Sequence, residues 1–75
     1  MIHCKVINHL DKGRIGETWD IHMPTGNVYY ASKHDEGKWR VTYADQWLQV
    51  MELALKPNNP RTFVNQDLTI KLQEI

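Results

Sequence analysis

Three imidazoles and a thiol stand among the first 22 residues: His3, Cys4, His9 and His22. Imidazole nitrogen and thiolate are the usual zinc ligands, and they must converge to within about 2.0–2.3 Å of one ion. Spacing works against that. His3 and His9 fall on one side of an alternating segment, but the extended chain between them is about 20 Å long. Cys4 points to the opposite side from both. His9 and His22, on successive strands, remain the one pair able to meet. The expectation is no metal: the histidines lie on the surface and Cys4 lies in the core.

Nucleophilic and acid–base chemistry finds no better footing. A core-facing Cys4 lacks the helix N-terminus or fixed cation that lowers a thiol pKa. Ser32, the only serine, stands in Tyr30-Ala31-Ser32-Lys33 with no recognisable nucleophile setting. Asp20, Asp35 and Glu36 include candidate paired carboxylates, yet Asp35 and Glu36 sit in a turn where acids are ordinary. The four glycines occur singly and never as a phosphate-cradling loop. The chain is therefore expected to have no enzymatic activity and no cofactor.

The elements that must position these residues can be read from periodicity. Ile2 to Leu10 alternates, with Ile2, Cys4, Val6 and Leu10 inward, which predicts a strand. A turn at Asp11-Lys12-Gly13-Arg14 leads to a second strand. There Ile15, Trp19, Ile21 and Met23 face one way and Thr18, Asp20 and His22 the other. Pro24-Thr25-Gly26-Asn27 is a turn by its proline and glycine. Val28-Tyr29-Tyr30-Ala31 is strand by propensity, with both of its faces carrying a tyrosine. Asp35-Glu36-Gly37 turns the chain into a fourth strand, Lys38 to Tyr43, with Trp39, Val41 and Tyr43 inward.

From Ala44 to Lys56 a helical wheel collects Ala44, Trp47, Leu48, Met51, Ala54 and Leu55 on one stripe. Thr42 and Asp45 offer an imperfect capping box, and Pro57 stops the run. Asn59-Pro60 can begin one short helical turn. The alternation of Leu68, Ile70 and Leu72 favours a final strand, although Leu68, Leu72 and Ile75 also suit a helix. The expected architecture is thus a single α+β domain over residues 1–75. It has an antiparallel sheet of four to five strands in ββββαβ order and one amphipathic helix packed on one face. All three tryptophans, Trp19, Trp39 and Trp47, are assigned to its core.

Composition narrows the function without naming it. Nine basic residues balance nine acidic ones. A protein that coats nucleic acid carries a net positive field, and an acidic DNA mimic a negative one. A single cysteine forms no internal disulfide, and Met1 to Val6 shows no apolar run long enough for a signal peptide or membrane span. The expected setting is the cytoplasm, without membrane contact, and a homodimer is as compatible with so small a core as a monomer.

Two surfaces stand out for binding. One is the sheet face away from the helix, gathering Asp20, His22, Lys38, Arg40 and one of Tyr29 or Tyr30; arginine and aromatic residues on a rigid sheet favour recognition. The other is Leu53, nearly opposite the helix's apolar stripe. The function expected is a non-enzymatic macromolecule-binding module that acts on a protein partner as a small adaptor, inhibitor or subunit, of a kind phages and mobile elements carry. The alternative is nucleic-acid binding through the exposed sheet face. Three strands followed by a helix resemble, in element order alone, the sheet-reading domains at the N-termini of phage integrases.

Overall fold

The computed structural model of the chain describes the backbone of residues 1–33 and 39–75 and the side chains of residues 1–30 and 47–75. The strands are β1 (Ile2–Asn8), β2 (Thr18–His22), β3 (Asn27–Lys33), β4 (Trp39–Glu52), β5 (Thr62–Asn65) and β6 (Lys71–Glu74). Each pairs antiparallel with the next, and β6 returns to β1, closing a six-stranded barrel. The expected α+β architecture is therefore overturned: the fold is all-β, with no α-helix among the described residues.

Local signals account for the first half. In β1, Cys4 and Val6 are buried, Ile2 is half-buried, and His3, Lys5 and Ile7 are exposed, as alternation requires. Leu10, assigned inward, is instead exposed beyond the strand end. Asp11 caps a 3-10 turn at Lys12–Arg14, its carboxylate accepting from the Gly13 amide at 3.0 Å. Trp19 and Ile21 of β2 face inward, while the flanking Ile15 and Met23 are exposed. Val28 and Tyr30 of β3 join Trp19 and Ile21 in the core, so Tyr30 faces inward and its neighbour Tyr29 outward.

The predicted helix over Ala44–Lys56 is the main error. That stretch lies mostly in β4, which pairs with β3 and then, from Val50 to Glu52, with β5. The residues that form a helical stripe also satisfy a strand over a shorter window, because Leu48 and Val50 face the core while Gln49 and Met51 are exposed. A strand here supplies partners to both β3 and β5, and ring closure leaves neither barrel edge open. Long-range pairing outweighs a local periodicity that any helix propensity makes only marginally stable. Trp47, assigned to the core by the wheel, is 89% exposed, whereas Trp19 is 1% exposed. The side chain of Trp39 and the turn at Asp35-Glu36-Gly37 lie outside the described residues.

The core holds Cys4, Val6, Trp19, Ile21, Val28, Val50, Phe63, Ile70 and Leu72. Tyr30 stacks on Trp19 with ring centroids 4.7 Å apart, and His9 meets Trp19 edge-on at 5.8 Å. The Trp19 indole N–H donates to Glu17 at 2.9 Å, giving the buried ring the polar partner it needs. The predicted C-terminal strand is present but shorter, as β6 from Lys71 to Glu74, with Leu68 exposed in the turn before it.

Candidate functional site

The site begins with an irregularity in β4. Val28 of β3 lies opposite Asp45, yet the adjacent Asn27 lies opposite Gln49. One step along β3 thus spans four along β4, and Gln46, Trp47 and Leu48 form a large bulge. Bulges gather at barrel rims and re-aim side chains. Immediately past this one, the Val50 amide donates to the Gly26 carbonyl at 2.9 Å, and β4 takes up β5 as partner, with Val50 opposite Asn65. The bulge therefore marks the handover of β4 from one neighbour to the next. Leu48 packs against the core, and the Trp47 indole is delivered to the surface near Met51, itself 56% exposed.

Between the bulge and the β5–β6 turn lies an open hollow of about 670 Å³, lined by Trp47, Leu48, Gln49, Met51, Asn65, Gln66 and Asp67. The turn that forms its far wall is tightly organised. Asn65, which is buried, accepts from the Ile70 amide at 2.8 Å and donates to Asp67 at 2.8 Å and to the Thr69 hydroxyl at 2.9 Å. Asp67 in turn accepts from the Thr69 hydroxyl at 2.7 Å and from its amide at 3.3 Å. These bonds hold Leu68 at a φ of 62°, a left-handed conformation that a leucine adopts only under constraint. The same Thr69 hydroxyl is the main cause that lowers the Asp67 carboxyl below its ordinary pKa, so Asp67 is anionic at neutral pH.

The residues singled out from sequence are dispersed. Asp20 and Tyr29 stand directly opposite one another on the barrel exterior, His22 is opposite Asn27 in the same outward row, and His3 hydrogen-bonds Asp20 from β1. Tyr30 is separated from them, turned inward against Trp19. Lys38 lies outside the described residues, as does the side chain of Arg40. Leu53, placed on a helix face by the wheel, instead follows β4; its amide donates to the Thr62 carbonyl at 2.7 Å and its side chain is half-buried. Sequence reasoning missed Trp47, Met51 and the turn at Asp67. The available cue was Gln46 and Gln49, polar residues flanking Trp47 that fit an exposed segment.

The thiol and the imidazoles singled out from sequence stand apart from one another. Burial, and secondarily the Glu74 and Asp20 carboxylates, push the Cys4 thiol up to about 11, the reverse of an activated nucleophile. His9 packs on Trp19 beyond the end of β1, while His22 bonds Thr25 in the β2–β3 turn, at the other end of the β1–β2 pair. Among the described residues no three His, Cys, Asp or Glu side chains converge to hold a metal ion, and no helix is long and apolar enough to cross a membrane. Comparison with known proteins finds no matching family model, no matching curated protein and no matching solved structure.

Proposed function

We propose that this chain is a non-enzymatic protein-binding module, an adaptor, inhibitor or subunit, that engages its partner through Trp47 and the hollow beside it. The observation that carries the reading is the exposure of Trp47 on a bulge facing a structured turn. A large aromatic ring that desolvates on contact is the commonest energetic anchor of a protein interface. Protein is favoured over nucleic acid because the described residues lining the hollow include a carboxylate, Asp67, and no lysine or arginine to meet phosphate. The free, buried thiol of Cys4 supports a reducing cytosol as the setting.

The experiment captures partners from one extract with the wild-type chain and with Trp47→Ala, then titrates the recovered molecule against both. Trp47→Ala should leave stability within about 0.5 kcal/mol, because the side chain is exposed, and should weaken partner binding by about 2 kcal/mol or more. Undiminished binding by Trp47→Ala removes the reading. Loss only with Asp20→Ala and Tyr29→Ala moves the interface to the exterior of β2 and β3. Recovery of nucleic acid, with affinity falling log-linearly in salt, establishes the alternative.

A further inference from the structure

We infer that the hollow receives an arginine side chain presented by the partner protein, its guanidinium held between the Trp47 indole and the Asp67 carboxylate. The inference deepens the protein-binding reading and rests on it. Its warrant is an arrangement that occurs twice among the described residues of the fold. Arg14 lies over the Tyr30 ring, 5.2 Å from the centroid, and pairs with Glu17 at 3.4 Å. Arg61 lies over the Phe63 ring at 5.9 Å and pairs with Glu74 at 2.7 Å. In both cases one planar cation satisfies an aromatic face and a carboxylate together. The hollow presents the same two receptors on its walls, a tryptophan and an anionic aspartate.

Charge and shape point the same way. Asp67 is the only charged residue among the described ones that line the hollow, so the local field favours a cation. Tryptophan is the strongest of the aromatic cation acceptors, and arginine the more frequent donor. The guanidinium is planar and weakly hydrated, so it stacks on a ring and forks onto a carboxylate at less desolvation cost than an ammonium. Leu48 and Met51 supply apolar surface on which the arginine's methylene stem can lie. At about 670 Å³ the open hollow is much larger than one side chain, so neighbouring residues of the partner segment would enter with it.

The test uses the blocked tripeptide acetyl-Leu-Arg-Leu-amide and its citrulline analogue, which keeps the shape and removes the charge. Binding to the full chain is followed by amide and indole N–H chemical shifts. The arginine peptide should shift the Trp47 indole resonance and bind at least about tenfold more tightly than the citrulline peptide. That preference should disappear in Trp47→Ala, and should fall at least about fivefold in Asp67→Asn. Because Asp67 also organises its turn, that variant must keep wild-type exchange protection of the Ile70 amide, which donates to Asn65. Salt gives an independent reading: raising it from low to high concentration should weaken the arginine peptide and leave the citrulline peptide unchanged. Equal binding of the two peptides, or insensitivity of their ratio to salt, overturns the inference. If the recovered partner still depends on Trp47 in that case, the protein-binding reading survives; if the partner ignores Trp47, that reading fails on its own.

Discussion

Replacing Gly26 by alanine tests the handover in β4 on which the site depends. Gly26 has a φ of 76°, where an L side chain costs about 1–2 kcal/mol. A Cβ built there would stand 2.6 Å from the Val50 carbonyl oxygen, well inside contact distance, and that oxygen is backbone that cannot rotate away. The β2–β3 turn and β4 must therefore separate by several tenths of an ångström. The same two residues share the 2.9 Å hydrogen bond from the Val50 amide to the Gly26 carbonyl, so separation also weakens a bond worth about 1 kcal/mol. With the overlap added, Gly26→Ala should cost about 3 kcal/mol, a large share of the roughly 4–11 kcal/mol expected for 75 residues. Gly16→Ala is the control: its φ is 97°, but an added Cβ meets nothing within 4 Å. It should show only the backbone cost of about 1–2 kcal/mol. Urea unfolding of the two variants measures the difference. Equal losses, within about 0.5 kcal/mol, would refute the close approach of the turn to β4. In the folded fraction of Gly26→Ala, the Trp47 indole resonance should also move, because Val50 lies two residues past the bulge.

Trp19→Ala should cost about 3–5 kcal/mol in the same assay, since the ring is fully buried and stacked on Tyr30; a near-native variant would contradict the inward facing of β2. Arg61 hydrogen-bonds Glu74 and lowers its carboxyl pKa, so the pair's contribution is complete above the ordinary glutamate value of about 4.3 and lost as pH falls through the folded-state value. The Tm advantage of wild type over Glu74→Gln should therefore shrink below about pH 4.3, and a constant advantage down to pH 2 would contradict the pairing. Cys4 behaves in the opposite sense. Its folded-state pKa is raised from 9.0 to about 11, so its stabilising term is complete below 9 and lost as pH rises between those values, about 2–3 kcal/mol in all. The stability of wild type relative to Cys4→Ala should fall by that amount over this range, and no change would mean that the thiol reaches solvent.

The legible part of this fold is the part that local rules control. β1 and β2 alternate cleanly because one face of each is core, and the turn before β3 is written in Pro24 and Gly26. The same rules fail at β4 for an identifiable reason. The three-residue bulge at Gln46–Leu48 shifts the alternation within a single strand, so no period of two runs through it, and an i, i+4 stripe fills the gap. Nothing local announces that β3 and β5 both need this segment as a neighbour. The candidate site shares that blindness. The helical wheel turns Trp47 inward beside Leu48 and Met51, and its exposure follows from the bulge, which only the pairing reveals. Asp20 is legible as outward from its alternation with Trp19 and Ile21, whereas the choice between Tyr29 and Tyr30 is made only by the stacking of Tyr30 on Trp19.

Ring closure by β1 and β6 sets the order in which this chain can become a protein. Cys4 lies opposite Glu74 and Val6 opposite Leu72, so ring closure joins segments about 70 residues apart. During synthesis β1 emerges first and must wait for β6, and until then the growing sheet keeps two open edges. Pairing so distant in sequence is slow to form, because the entropy of closing the loop is lost before the contacts that offset it are made. Proteolytic loss of the four residues of β6 would not yield a smaller barrel. It would leave a five-stranded sheet with β1 and β5 as templates for any strand that passes.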